Sequence, residues 1–229
     1  MQTYFESELA KLRTRMIKMM KIVNGQIDKS FQVLFNKEFE TIQIIKQDEN
    51  KLDKLDIKID KLCQRIFALS QPVATDLRFI MASLKIGNEL ERIGDIAYDI
   101  SKHAEAVNQF PNILKRFDIQ GLSEQIQKLY VQLIECYING NSSLAFEVIA
   151  KCKKSEEVCK NVFNEIVSAM IKKSEVIVVA TDLILIVRDI ERSFGHIENI
   201  AETIIFIVEA KIVKHSGAKS ESSKTLKKK

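Results

Sequence analysis

Residues 89–100 read ELERIGDIAYDI, and residues 189–200 read DIERSFGHIENI. An acid, an apolar residue, the Glu-Arg pair and the closing Ile stay in register across a shift of one hundred, while Asp95 becomes Gly195. A chain that repeats itself at this distance is built from two similar halves. With 229 residues in all, each half has roughly 100, enough for a modest core. Around both copies the apolar residues recur at three and four rather than alternating, which predicts helix nearly throughout.

Breakers mark the joints. Asn36 to Glu38 separates a first helix from a second that runs to about Ser70. Ser70 and Gln71 before Pro72 predict a polar cap and a proline in the first turn of a third helix, which continues to about His103. The stretch Asn108 to Gly121, with Pro111, is the natural boundary. A fourth helix is expected from Leu122 to Ile138. Asn139-Gly140-Asn141-Ser142 then supplies a stop and a cap for a fifth, which ends near Lys173, and a sixth runs from Val176 to about Val213. The expected fold is all-α: two tandem three-helix bundles, residues 1–107 and 108–213, related by an internal pseudo-twofold repeat and joined end to end. Residues 214–229, KHSGAKSESSKTLKKK, have almost nothing to bury and read as a disordered basic tail.

That tail accounts for the charge. The chain has a formal charge of +4, but Lys214 to Lys229 hold six Lys against one Glu, so the folded body is close to neutral. There is no basic body to hold DNA, and nucleic acid is not an expected partner. The longest apolar run, VIVVATDLILIV, contains Asp182 and is too short to span a bilayer. MQTYFESELAKLRTRM lacks the apolar block of a signal peptide, which points to the cytoplasm. Cys152 and Cys159 are seven residues apart, about 10 Å of helical rise, too far for a disulfide.

The acids carry the chemistry. On the second helix Glu49, Asp53, Asp56 and Asp60 are spaced four, three and four, so they share one stripe beside the core face of Leu52, Leu55, Ile59 and Leu62. Glu91, Asp95 and Asp99 form a similar stripe on the third, away from Ile86, Leu90, Ile93 and Ala97. A solvated face is the plainer reading of either stripe alone. Like charges one turn apart repel by a few tenths of a kcal/mol, however, and two such stripes side by side call for a cation. Oxygen-only donors suit iron, manganese, magnesium or calcium.

In the second half, a shift of 103 replaces Glu49, Asp53 and Asp56 by Cys152, Glu156 and Cys159, and a shift of 100 replaces Glu91 and Asp95 by Glu191 and Gly195. Glu198 and Glu202 restore some acid further along that face. Thiolates with a carboxylate, and with His196 reaching round past Gly195, would favour zinc or iron. Alternatively the two cysteines simply fill a core stripe.

QPVATDLRFIMASLKIGNELERIGDIAYDI resembles the first signature of the PhoU phosphate-signalling family, with its Gln-Pro-x-Ala-x-Asp-Leu-Arg opening and Leu-Glu-Arg-Ile-Gly-Asp centre. RDIERSFGHIENIAETIIFIVEAKIVKH is similar to the second. The resemblance implies two three-helix bundles whose Glu/Asp-x-x-x-Asp pairs bind iron or zinc clusters in some members. Glu49, Asp53, Glu91 and Asp95 match the first set, with Asp56 and Asp99 in support. Glu156 and Glu191 match the second, where Cys152 and Gly195 depart from the pattern and Cys159, His196 and Glu198 are further candidates. The resemblance also implies a negative regulator of phosphate uptake and phosphate-starvation signalling. Its partners would be the cytoplasmic face of the phosphate ABC transporter, a phosphate-sensing histidine kinase and, as a homodimer, a second copy of the chain. Membrane association would be peripheral, through those partners.

Two rival readings stand beside this one. A carboxylate-bridged di-iron enzyme is opposed by the lack of Glu-x-x-His pairs, and no phosphate loop or nucleophile motif suggests another catalyst. A metal-independent helical adaptor for another phosphate permease needs no acidic stripe at all.

Overall fold

Leu52, Leu55, Ile59 and Leu62 on one helix, and Ile86, Leu90, Ile93 and Ala97 on the next, follow the spacing of a single helical stripe, and all are buried. The computed structural model describes residues 2–213, and among them every regular element is helical. The order is α1 (Gln2–Asn36), α2 (Thr41–Leu69), α3 (Ala74–Asn108), α4 (Pro111–Arg116), α5 (Ile119–Asn139), α6 (Ser142–Lys172), a single 3-10 turn (Ser174–Val176) and α7 (Ile177–Glu209). Residues 214–229, read above as a disordered tail, lie outside the described residues.

The punctuation at Gly140 works as expected. Gly140 closes α5 in the left-handed conformation, φ 62°, and its N–H bonds the carbonyl of Cys136. The Asn141 side chain then accepts from the N–H of Leu144, 3.0 Å away, and starts α6. Four other boundaries differ from expectation, two of them because α3 runs past His103 to Asn108 and α7 stops at Glu209, short of Val213. α3 begins at Ala74, not at Pro72, with extended Val73 in the cap position and no side-chain cap. The proline ring disfavours helical backbone at Gln71, and the chain leaves the turn only after it has passed through positive φ at Gln71 and Ala74. Within the expected linker, α4 forms a short helix, and α5 starts three residues early because Asp118 caps the N–H of Gly121 at 3.0 Å.

α1, α2 and α3 pack mutually, as do α5, α6 and α7, and these two bundles are not joined end to end. Instead α3 and α7 lie lengthwise against each other, and α1 also meets α5. Their direction follows from two contacts. Glu89 of α3 meets His196 of α7, with Oε2 and Nδ1 2.7 Å apart, and fourteen residues on His103 meets Asp182, fourteen residues back, at 2.9 Å. The helices are therefore antiparallel. One hydrophobic cluster runs through all six long helices, and the buried Tyr130 hydroxyl of α5 donates to the carbonyl of Met20 in α1 at 3.1 Å. No described helix is long and apolar enough to cross a membrane.

α2 and α3 approach closely at two glycines. A Cβ on Gly94 would lie 2.6 Å from Leu52 Cδ2 and 3.0 Å from Gln26 Oε1; one on Gly87 would lie 2.9 Å from Asp56 Oδ1. Gly94→Ala should thus lower stability by about 1–3 kcal/mol through overpacking, although alanine is the better helix former. Gly25→Ala, facing only the tip of Lys29 at 3.4 Å, should be neutral or stabilising. Equal denaturation midpoints for the two variants would contradict this account of the helix contact.

Candidate functional site

The glycine contacts bring the acidic stripes of α2 and α3 together. Burial raises the carboxyl of Glu49, and the next causes are Asp95 across the helix gap and Asp53 on its own helix. Asp95 is raised by burial and then by Glu91, with Arg92 pulling it down and Asp53 and Asp99 adding to the rise. Asp56 is raised by burial, Asp60, Glu91 and Asp53 in turn. Glu49, Asp53, Asp56, Glu91, Asp95 and Asp99 are thus one electrostatic unit, drawn from two helices. The cations beside it sit at its margin: Lys102 holds Asp99 at 2.6 Å, and Arg92 is 3.8 Å from Asp95.

In charge and donor type this face fits a hard or intermediate cation. Among the described residues, no three Asp, Glu, His or Cys side chains stand in an arrangement ready to hold a metal ion. Rotation of the half-exposed carboxylates would have to complete such a set.

The equivalent face of α6 and α7 is assembled differently. Glu156 is raised by burial and by Glu198, with Lys160 opposing and Glu191 adding. Glu156, Glu191 and Glu198 are therefore neighbours, but they carry their own cations. Arg188 holds Glu191 at 2.6 Å, and Lys153 lies 3.4 Å from Glu198. Cys152 and Cys159 are fully buried in the core. Burial, and then the nearby carboxylates, push the Cys159 thiol up to about 12 and that of Cys152 higher still. Both are neutral thiols filling space, and the thiolate–imidazole set is not brought together. His196 faces the other way, across to Glu89. Steric need does not explain Gly195: a Cβ there would lie 3.9 Å from Glu156 Oε1, an ordinary contact. What the position lacks is a charge.

Sequence reasoning passed over Glu89, Asp182 and Asp189. Glu89 accepts from both His196 and Asn199 of α7. Asp189 is buried between the bundles, raised by burial and by Asp99 of α3 and lowered by Arg192 and His103. Glu89 and Asp182 have their partners on the other helix, so nothing in the spacing within either half pairs them; Asp189 has Arg192 three residues on, but its nearness to Asp99 and His103 likewise depends on the other helix.

The acidic face gives a signed pH dependence. Glu49, Asp56 and Asp95 have raised pKa values when folded, so the native state holds protons that the unfolded chain has released. Their ionisation lowers stability as pH rises through the range between the ordinary carboxylate value and the raised one. Glu8, lowered chiefly by its bond from Lys11, behaves oppositely, as does Asp48, where Lys29 and Lys51 outweigh burial. Their contribution is lost as pH falls through their lowered values. In chelator, stability should therefore rise from neutral to mildly acid pH before falling in stronger acid. Asp95→Asn should flatten that rise and gain a few tenths of a kcal/mol per relieved pair at neutral pH. A variant less stable than the parent in chelator would refute the repulsion.

The geometry has counterparts among known proteins. The family model described as "PhoU domain" matches the chain twice, over residues 16–104 and 119–204. A phosphate-specific transport system accessory protein PhoU homolog of Aquifex aeolicus is 31% identical over 214 residues, 93% of this chain and 97% of its own. The homolog of Pseudomonas aeruginosa is 27% identical over 214 residues, 93% of this chain and 88% of its own. The crystal structure of PhoU from Pseudomonas aeruginosa superposes with a TM-score of 0.82 at 25% identity, covering 90% of this chain and all of that one. PhoU from Streptococcus pneumoniae, at 21% identity and a TM-score of 0.78, shares the fold. With both repeats matched in sequence and the whole arrangement matched in space, the chain belongs to the PhoU family.

Proposed function

We propose that this protein is an accessory protein of a phosphate-specific transport system and restrains phosphate uptake and phosphate-starvation signalling. It acts as a cytoplasmic adaptor between the transporter and a sensor kinase. The observation that carries the proposal is similarity over 93% of the chain to relatives named as accessory proteins of that system. The long parallel faces of two helical bundles suit an adaptor, which needs differential affinity for two partner states rather than a reaction centre.

Within this reading, Glu49, Asp53, Glu91 and Asp95 hold an iron, zinc or other divalent cation, with Asp56 and Asp99 in support. The bound ion neutralises the carboxylates and fastens α2 to α3. Metal binding by the native state alone raises apparent stability with metal concentration. A metal-independent adaptor is the second reading, favoured by the lack of a preformed set of three donors among the described residues.

Two experiments test these readings. Deleting the protein should cause starvation signalling or excess uptake in phosphate-rich medium, and normal repression in the deletion strain would overturn the regulatory role. Asp53→Ala with Asp95→Ala should abolish any metal-induced rise in the thermal midpoint. A parent protein purified without chelator, free of metal by elemental analysis and insensitive to added iron, zinc or manganese, would establish the metal-independent reading. Cys152→Ser should leave metal content unchanged, since the thiol is buried and neutral.

A further inference from the structure

The first long helices of the two bundles, α1 and α5, meet along a cleft of about 480 Å³. Asp28, Phe31 and Phe35 line it from α1, and Gln120, Glu124 and Gln127 line it from α5. Each set keeps the three- and four-residue spacing of one helical face, so each wall runs for about 10 Å. The Phe31 and Phe35 rings stack, with centroids 6.3 Å and planes 22° apart, and give the α1 wall an aromatic surface. Phe31 is buried and belongs to the core, which fixes that wall in place.

The two carboxylates of the cleft are oriented by neutral groups. Asp28 Oδ1 accepts from Gln127 Nε2 at 2.8 Å, a bond that crosses between the bundles, and its Oδ2 accepts from Asn24 Nδ2 at 3.1 Å. Glu124 accepts from Gln120 Nε2 at 3.0 Å. Among the described residues neither carboxylate forms an ion pair, and no Lys, Arg or His lines the cleft. Glu124 stands about one turn of α5 before Gln127, the residue that holds Asp28, so the two charges are offset along the groove with the aromatic wall beside them. An anion would be repelled here. A bare metal ion is poorly served, because no three ligating side chains converge among the described residues. An organic cation with ammonium groups on an apolar stem suits both features: its charged ends meet carboxylate, and its methylenes lie on aromatic surface.

We propose that the cleft between α1 and α5 binds a linear di- or polyamine. One ammonium group pairs with Asp28 and another with Glu124, and the stem between them lies against Phe31 and Phe35. Asp28 belongs to the first bundle and Glu124 to the second, so the bound amine ties the bundles together on helices other than α3 and α7. The site is separate from the acidic face of α2 and α3 and does not depend on a cation there.

The test is isothermal titration calorimetry of the full chain with spermidine at low ionic strength, where screening is weak. Spermidine should bind about tenfold or more tighter than butylamine, which has a stem but a single charge. Asp28→Asn with Glu124→Gln should weaken spermidine about tenfold. That variant should unfold at nearly the parent temperature, because an amide at position 28 still accepts from Gln127 and Glu124 is exposed, so lost binding cannot be put down to unfolding. Phe35→Leu should weaken binding about threefold, since the aromatic face is lost while apolar volume is kept. Asp53→Asn with Asp95→Asn, which removes charge from the α2–α3 face, should stay within about twofold of the parent. Absence of spermidine binding, equal affinity for butylamine, or displacement of spermidine by magnesium at the same concentration would overturn the proposal. Parent-like affinity in the cleft double variant, or a loss confined to Asp53→Asn with Asp95→Asn, would do the same. So would tighter binding of arginine amide than of spermidine, since a guanidinium side chain of a protein partner would then be the occupant.

Discussion

The lengthwise contact between α3 and α7 organises this protein. Each of these helices packs against three long neighbours, α3 against α1, α2 and α7, and α7 against α3, α5 and α6. Together they bury the faces that two separate bundles would leave open, and so produce one continuous core. Polar groups set the register. Glu89 with His196 and Asn199, and His103 with Asp182, meet only in the observed antiparallel alignment. A slip of one turn would leave partly buried carboxylates facing apolar surface, a penalty of a few kcal/mol against which hydrophobic contact alone does not discriminate.

With α3 held on that side, its outward stripe is fixed against α2. Gly87 and Gly94 leave room for the Asp56 and Leu52 side chains of α2, and this approach brings Glu49, Asp53 and Asp56 towards Glu91 and Asp95. Apolar burial along Leu52 and Ile59 readily outweighs repulsions of a few tenths of a kcal/mol each. The resulting face is a tolerable strain, and any cation or cationic partner relieves it. On the second bundle, by contrast, Lys153 and Arg188 already balance the carboxylates and the two cysteines are core residues. The repeat has kept its architecture and let the electrostatics of its two faces diverge.

Much of this was legible in the sequence. Apolar spacing located six helices, and the i, i+4 acids predicted stripes that the structure places side by side. Local backbone chemistry was read correctly at Gly140 and Asn141 but wrongly at Pro72, where the preceding residue could not turn into helix. The thiols of Cys152 and Cys159 were ambiguous, because on a helical wheel they lie near both the acidic face and the core stripe. Only packing shows that their sulfurs point inward.

The sequence by itself determined helix positions, the duplication and the identity of the acidic stripes, because periodicity and spacing are properties of a single helix. The tertiary structure alone decided that α3 and α7 pair antiparallel rather than the halves lying end to end, that His196 serves Glu89 instead of a second acidic cluster, and that Tyr4 of α1 shares one cleft with Leu69 and Val73. Those outcomes depend on which surfaces meet across long stretches of chain. No local pattern records them, since each partner satisfies the rules of its own helix whether or not the other is present.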